Sequence, residues 1–108
     1  MCMKKYEMKY MFDWGSGTCL WSVNDATIHE FDYAVSIEQM PVSNDLRKFL
    51  YELISRHDEA LNWENPAGDL LWSDEEQDIY IRDAQTGYKR LCEELENTEF
   101  QIHLAQLI

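Results

Sequence analysis

Along residues 4–14 apolar and polar side chains alternate: Tyr6, Met8, Tyr10, Phe12 and Trp14 fall on one side, Lys5, Glu7, Lys9, Met11 and Asp13 on the other. A period of two predicts a half-buried strand. Thr18 to Val23 alternates in the same way, with Cys19, Trp21 and Val23 together. A two-residue turn centred on Ser16-Gly17 would pair Trp14 with Cys19, Phe12 with Trp21 and Tyr10 with Val23, gathering the bulky side chains on one face. That register sets Asp13 on the opposite face, beside Leu20.

Asn24 to Glu30 fits one short helical turn capped by Asn24 or Asp25; Phe31, Tyr33, Val35 and Ile37 then alternate with polar neighbours as a third strand would. Pro41 ends that strand, and Ser43 stands where a helix N-cap belongs. From Leu46 the positions Phe49, Leu50, Leu53, Ile54, His57 and Leu61 follow helical spacing, which predicts a helix over 44–61. Residues 62–71, with Pro66 and Gly68, read as a loop. Ser73-Asp74-Glu75-Glu76 matches a capping box and opens a second helix running to about 96. Its inner stripe is Tyr80, Ile81, Ala84, Tyr88, Leu91, Cys92 and Leu95, and Gly87 on that stripe marks a place where another element comes close. Phe100, Ile102 and Leu104 form a last strand. The order β-β-β-α-α-β predicts an α+β fold over a single domain, 1–108, with a mainly antiparallel sheet of about four strands and two helices packed on one face.

With 108 residues, 45% of them hydrophobic, the chain can bury a core without a disulfide or metal to hold it. Cys2, Cys19 and Cys92 are odd in number and form no C-x-x-C pair, which reads as plain thiols in a reducing compartment. No apolar run reaches the roughly 18 residues of a membrane span, and charges interrupt MCMKKYEMKYMF where a signal peptide needs an apolar stretch. The expected location is the cytoplasm. A net charge of −12 argues against direct binding to nucleic acid or an anionic membrane and favours a basic macromolecule.

Gly15-Ser16-Gly17 fails as a phosphate loop, because no lysine follows and a strand rather than a helix comes next. His29, His57 and His103 sit on different elements without metal-ligand spacing; His57 reads as a hydrogen-bonded residue at the core edge and His103 as a solvated strand side chain. A nucleophile pair such as Cys19 with His103 stays open, since such partners meet in space rather than in sequence. No catalytic residue, metal ligand or cofactor site is assigned.

Charge distribution says more. Residues 57–81 carry Asp58, Glu59, Glu64, Asp69, Asp74, Glu75, Glu76 and Asp78 and no Lys or Arg. Asp74, Glu75 and Glu76 suit the N-terminal dipole of the second helix. Asp58, Glu59, Glu64 and Asp69 have no such explanation, because a helix C-terminus prefers cations and like charges repel. They point to recognition of a basic partner, with Trp63 and Trp72 either anchoring that contact or closing the loop onto the core. The candidate partner-binding residues are therefore Asp58, Glu59, Trp63, Glu64, Asp69, Trp72, Asp74, Glu75 and Asp78.

Two stretches, FDWGSGTCLWS at 12–22 and ALNWENPAGDLLWSDEE at 60–76, resemble small cytosolic immunity proteins of bacterial toxin systems, particularly contact-dependent growth inhibition immunity proteins. The resemblance implies a non-enzymatic, tight-binding inhibitor of a cognate toxin nuclease, an RNase before a DNase, in a one-to-one complex. A carboxylate surface suits that task, because nucleases that grip phosphate backbones present Lys and Arg clusters. Other readings stay open: a nucleic-acid mimic that sequesters a DNA-binding protein, a small enzyme with an unrecognised pocket, or a domain that dimerises through a sheet edge.

Overall fold

A computed structural model describes residues 4–107; Cys2 lies outside them. The chain runs β1 (Tyr6–Met11), β2 (Leu20–Ser22), α1 (Asp25–Phe31), β3 (Ala34–Val35), a 3-10 turn at Ile37–Gln39, α2 (Asn44–Ala60), α3 (Asp74–Glu94) and β4 (Phe100–Gln106). The four strands form one sheet in the order β3-β2-β1-β4. β1 pairs antiparallel with β2, β2 antiparallel with β3, and β4 runs parallel to β1 with a bulge between Tyr10 and Met11. The fold is α+β, as the hydrophobic pattern predicts.

The two long helices begin where their caps place them. The Ser43 hydroxyl accepts from the backbone N–H of Leu46, and the Ser73 hydroxyl accepts from that of Glu76. At the far end of α3 the Lys4 ammonium donates to the carbonyls of Leu95, Glu96 and Thr98 at 2.8–3.0 Å, meeting the negative end of the helix dipole with a cation. Three tyrosines tie α3 to the sheet and to the residue that follows β4. Tyr10 donates to the carbonyl of Ala84, Tyr88 to that of Ile102 and Tyr80 to that of Leu107. Gly87 is what permits this approach: a Cβ there would lie 2.8 Å from the Tyr10 hydroxyl and 3.1 Å from Leu53 Cδ1. Met8, Tyr10, Leu20, Leu50, Leu53 and Leu91 are fully buried around that junction.

The first hairpin departs from the expected register. The pairs are Met8 with Ser22, Lys9 with Trp21 and Tyr10 with Leu20, not Tyr10 with Val23. Two-residue turn chemistry would need Trp14 inside the sheet, and Trp14 leaves it to stack on His57. β1 consequently ends at Met11, and the connection to β2 is a wider loop in which Gly15 and Gly17 both take positive φ, 78° and 74°. The third strand is also shorter than its alternation suggests. Asn24 caps a helix that runs through Phe31, Asp32 ends it at φ 65°, and Ser36 caps the 3-10 turn, leaving only Ala34–Val35 to pair with β2. Alternation at Phe31, Tyr33, Val35 and Ile37 therefore spans a helix end, a strand and a turn, and the chain has a third helix that the expected order lacked.

Candidate functional site

α2 carries Asp58 and Glu59 in its last turn and ends on Leu61, whose backbone N–H donates to the carbonyl of Asp58. The chain then makes two successive turns, closed by Asn65 N–H to the Asn62 carbonyl and Gly68 N–H to the Asn65 carbonyl, both at 3.0 Å. The Asn62 side chain also accepts from the backbone of Glu64 and Asn65, so an Asn at the start of the loop serves as its local organiser. The Leu71 N–H reaches back to the Ala60 carbonyl at 2.7 Å and fastens the loop's two ends together.

This arrangement separates the two tryptophans. Trp72 is half-buried and packs on Tyr80 with ring centroids 4.6 Å apart, so it closes the loop onto the core. Trp63 is 58% exposed, and Leu71 beyond it is 62% exposed. Trp63 is nonetheless held: its indole N–H donates to the Asp58 carbonyl at 3.0 Å, and its ring edge lies over Gly15, where a Cβ would sit 3.5 Å from it. Glu59, Glu64, Asp69, Asp74, Glu75 and Asp78 are all exposed, and Asp58 is half-buried. Asp69, Leu70, Trp72, Asp74 and Gln77 line a shallow recess between the loop and the start of α3.

The 13–17 turn belongs to the same surface, which the sequence did not reveal. The Gly15 N–H donates to the Asp58 carboxylate at 2.9 Å, and the Trp14 indole N–H donates to the His57 carbonyl at 2.8 Å. The Trp14 and His57 rings stack 4.4 Å apart, inclined by 17°. Asp13 is exposed on this turn, beyond the sheet rather than beside Leu20. His57, expected as a hydrogen-bonded residue at the core edge, is instead fully buried, and neither ring nitrogen has a hydrogen-bond partner among the described residues. Desolvation by burial lowers its pKa, against an opposing pull from Asp58 and Asp13.

The other groups that could carry chemistry are dispersed. His29 is exposed on α1. His103 is exposed on β4 and lies 3.2 Å from the Glu7 carboxylate. Cys19 is fully buried, and desolvation pushes its thiol well above the ordinary range, which suppresses the nucleophilic thiolate. Among the described residues there is no group of three or more His, Cys, Asp or Glu that could hold a metal, and no helix long and apolar enough to cross a membrane.

What these elements define is a small acidic α+β protein whose most distinctive surface is a base-free acidic loop bearing a fixed, exposed tryptophan. The chain belongs to the Serratia CdiI immunity protein-like family, whose model matches residues 6–105. It is thus an immunity protein of the CdiI-like kind, and such a protein acts by binding a cognate toxin. No curated protein matches the sequence.

Proposed function

We propose that this immunity protein neutralises a basic toxin, a nuclease and an RNase before a DNase, by docking the 57–78 surface on it in a one-to-one complex. The observation that carries the reading is the combination at Trp63. An apolar ring stands exposed yet fixed by a hydrogen bond, its edge 3.5 Å from where a Cβ on Gly15 would sit. Around it the segment offers Asp58, Glu59, Glu64, Asp69, Asp74, Glu75 and Asp78 without one Lys or Arg. An anchor ordered before binding loses little entropy on binding, and a cluster of carboxylates speeds encounter with a cationic surface. Asp13 extends the same charge across the neighbouring turn. Trp72, packed on Tyr80, supports the loop from beneath rather than meeting the partner with its whole ring.

The test is inhibition of a purified cognate toxin domain, assayed on RNA and on DNA. One molar equivalent is expected to abolish cleavage of RNA while leaving an unrelated basic nuclease active. Equal inhibition of unrelated DNA-binding proteins would instead mark a nucleic-acid mimic, and full cleavage in the presence of excess protein would overturn the proposal.

A further inference from the structure

His57 is the least ordinary buried group in the molecule. Its ring is enclosed by Trp14 at 4.4 Å, Phe12 at 5.6 Å and Tyr80 at 5.8 Å between centroids, and neither nitrogen is hydrogen-bonded among the described residues. A neutral imidazole tolerates that cage because one face stacks on Trp14 and the tilted rings of Phe12 and Tyr80 pack around the rest. An imidazolium does not, since it has two N–H donors to satisfy and a charge to solvate. The charged and titratable groups around the cage are Asp58 on α2, Asp13 on the turn and Tyr80 on α3; the guanidinium of Arg56 lies over the Tyr80 ring and pairs with Asp83. Two carboxylates thus stand near a ring that cannot bond them while it stays stacked.

Trp14 lies across one face of His57 and also joins the turn to α2. It is only half-buried, whereas Phe12 and Tyr80 belong to the core, so the Trp14 side is where the cage yields most readily. We propose that His57 is an acid-released latch: when its ring takes up a proton it turns toward Asp13 and Asp58, displaces Trp14, and frees the 13–17 turn from the end of α2 while the core stays folded. The Gly15 bond to Asp58 and the seat of Trp63 on Gly15 depend on that attachment, so the surface around Trp63 loses its fixed shape in the same step. The sign follows from burial. A folded-state pKa below the ordinary 6.5 means that the closed latch is fully stable above that value and is lost as pH falls through the lowered one.

The latch is a property of the free protein, so its test needs no toxin and is independent of the proposed function. Histidine and tryptophan side-chain NMR signals would be followed from pH 8 to pH 4 together with amide hydrogen exchange. His57 should titrate below its ordinary value; over that same range the Trp14 indole and Gly15 amide protons should exchange at least roughly ten-fold faster than their intrinsic pH dependence, while the Leu53 and Leu91 amides stay protected. His57→Phe, which keeps a ring in the cage and cannot titrate, should abolish the transition. Titration at or above the ordinary value with Trp14 still stacked, as an imidazolium held by the indole face would give, overturns the latch. So does exposure of the Leu53 and Leu91 amides in the same step, or an unchanged transition in the His57→Phe protein.

Discussion

Gly87 and Gly15 each lie under an aromatic side chain, and they are glycines for different reasons. At Gly87 the demand is space: the backbone is helical, and a Cβ would meet the Tyr10 hydroxyl at 2.8 Å. At Gly15 the demand is conformation: the nearest contact, Trp63, would lie at an ordinary 3.5 Å, but φ is 78°. The first glycine lets helix and sheet come together in the core. The second lets a turn fold back against the end of α2 and support an exposed ring. One region spends its close packing on stability, and the other holds charge and apolar surface out toward solvent.

That contrast can be broken by substitution. Leu53→Ala, beside Gly87, should lower unfolding free energy by about 2–5 kcal/mol in denaturant titration, and the protein that remains folded should still bind toxin. Trp63→Ala should do the reverse, weakening toxin affinity by at least about 2 kcal/mol, roughly thirty-fold, in calorimetry. Its melting temperature should move little. Gly87→Ala should destabilise by about 1–3 kcal/mol despite the better helix propensity of alanine, because Tyr10 and Leu53 have to give way. Gly15→Ala should cost about 1–2 kcal/mol through its dihedral alone, and Gly15→Asn less, since asparagine tolerates positive φ. Equal effects of Ala and Asn at Gly15 would show that contact with Trp63, not backbone conformation, governs the position.

The elements that periodicity and caps determine were legible. Ser43 and Ser73 start their helices, the stripe from Tyr80 to Leu95 faces the core, and Gly87 marks the close approach. What the pattern could not reveal was competition between local and distant partners. Trp14 continues the alternation of β1 perfectly, yet a stack and a hydrogen bond on His57, 43 residues away, outweigh its place in the sheet. The two glycines read as a two-residue turn, yet Gly15 and Gly17 take positive φ in the wider loop that Trp14's departure opens. Likewise, Phe31, Tyr33, Val35 and Ile37 look like one strand because apolar residues two apart serve a helix end, a strand and a 3-10 turn equally well.

The acidic segment was readable as charge, but not as shape. Nothing in the sequence distinguished Trp63 from Trp72, both within the acidic segment; the difference arises from the Asn62 turn, which lifts one, and the Tyr80 ring, which receives the other. Nor could residue spacing show that Gly15 and Asp58 meet. The candidate surface therefore draws on two distant stretches of chain, 13–17 and 57–78.

Central to the proposed function is that this surface meets the toxin through its charge. The most direct measurement is the association rate constant with the cognate toxin across a range of salt concentrations, for the native chain and for Glu64→Lys/Asp69→Lys, whose side chains are exposed. Charge reversal should slow association by about ten-fold or more at low salt and flatten its salt dependence, with the two proteins converging at high salt. Identical rates and identical salt slopes for the two proteins would contradict the account and remove the acidic loop from the interface.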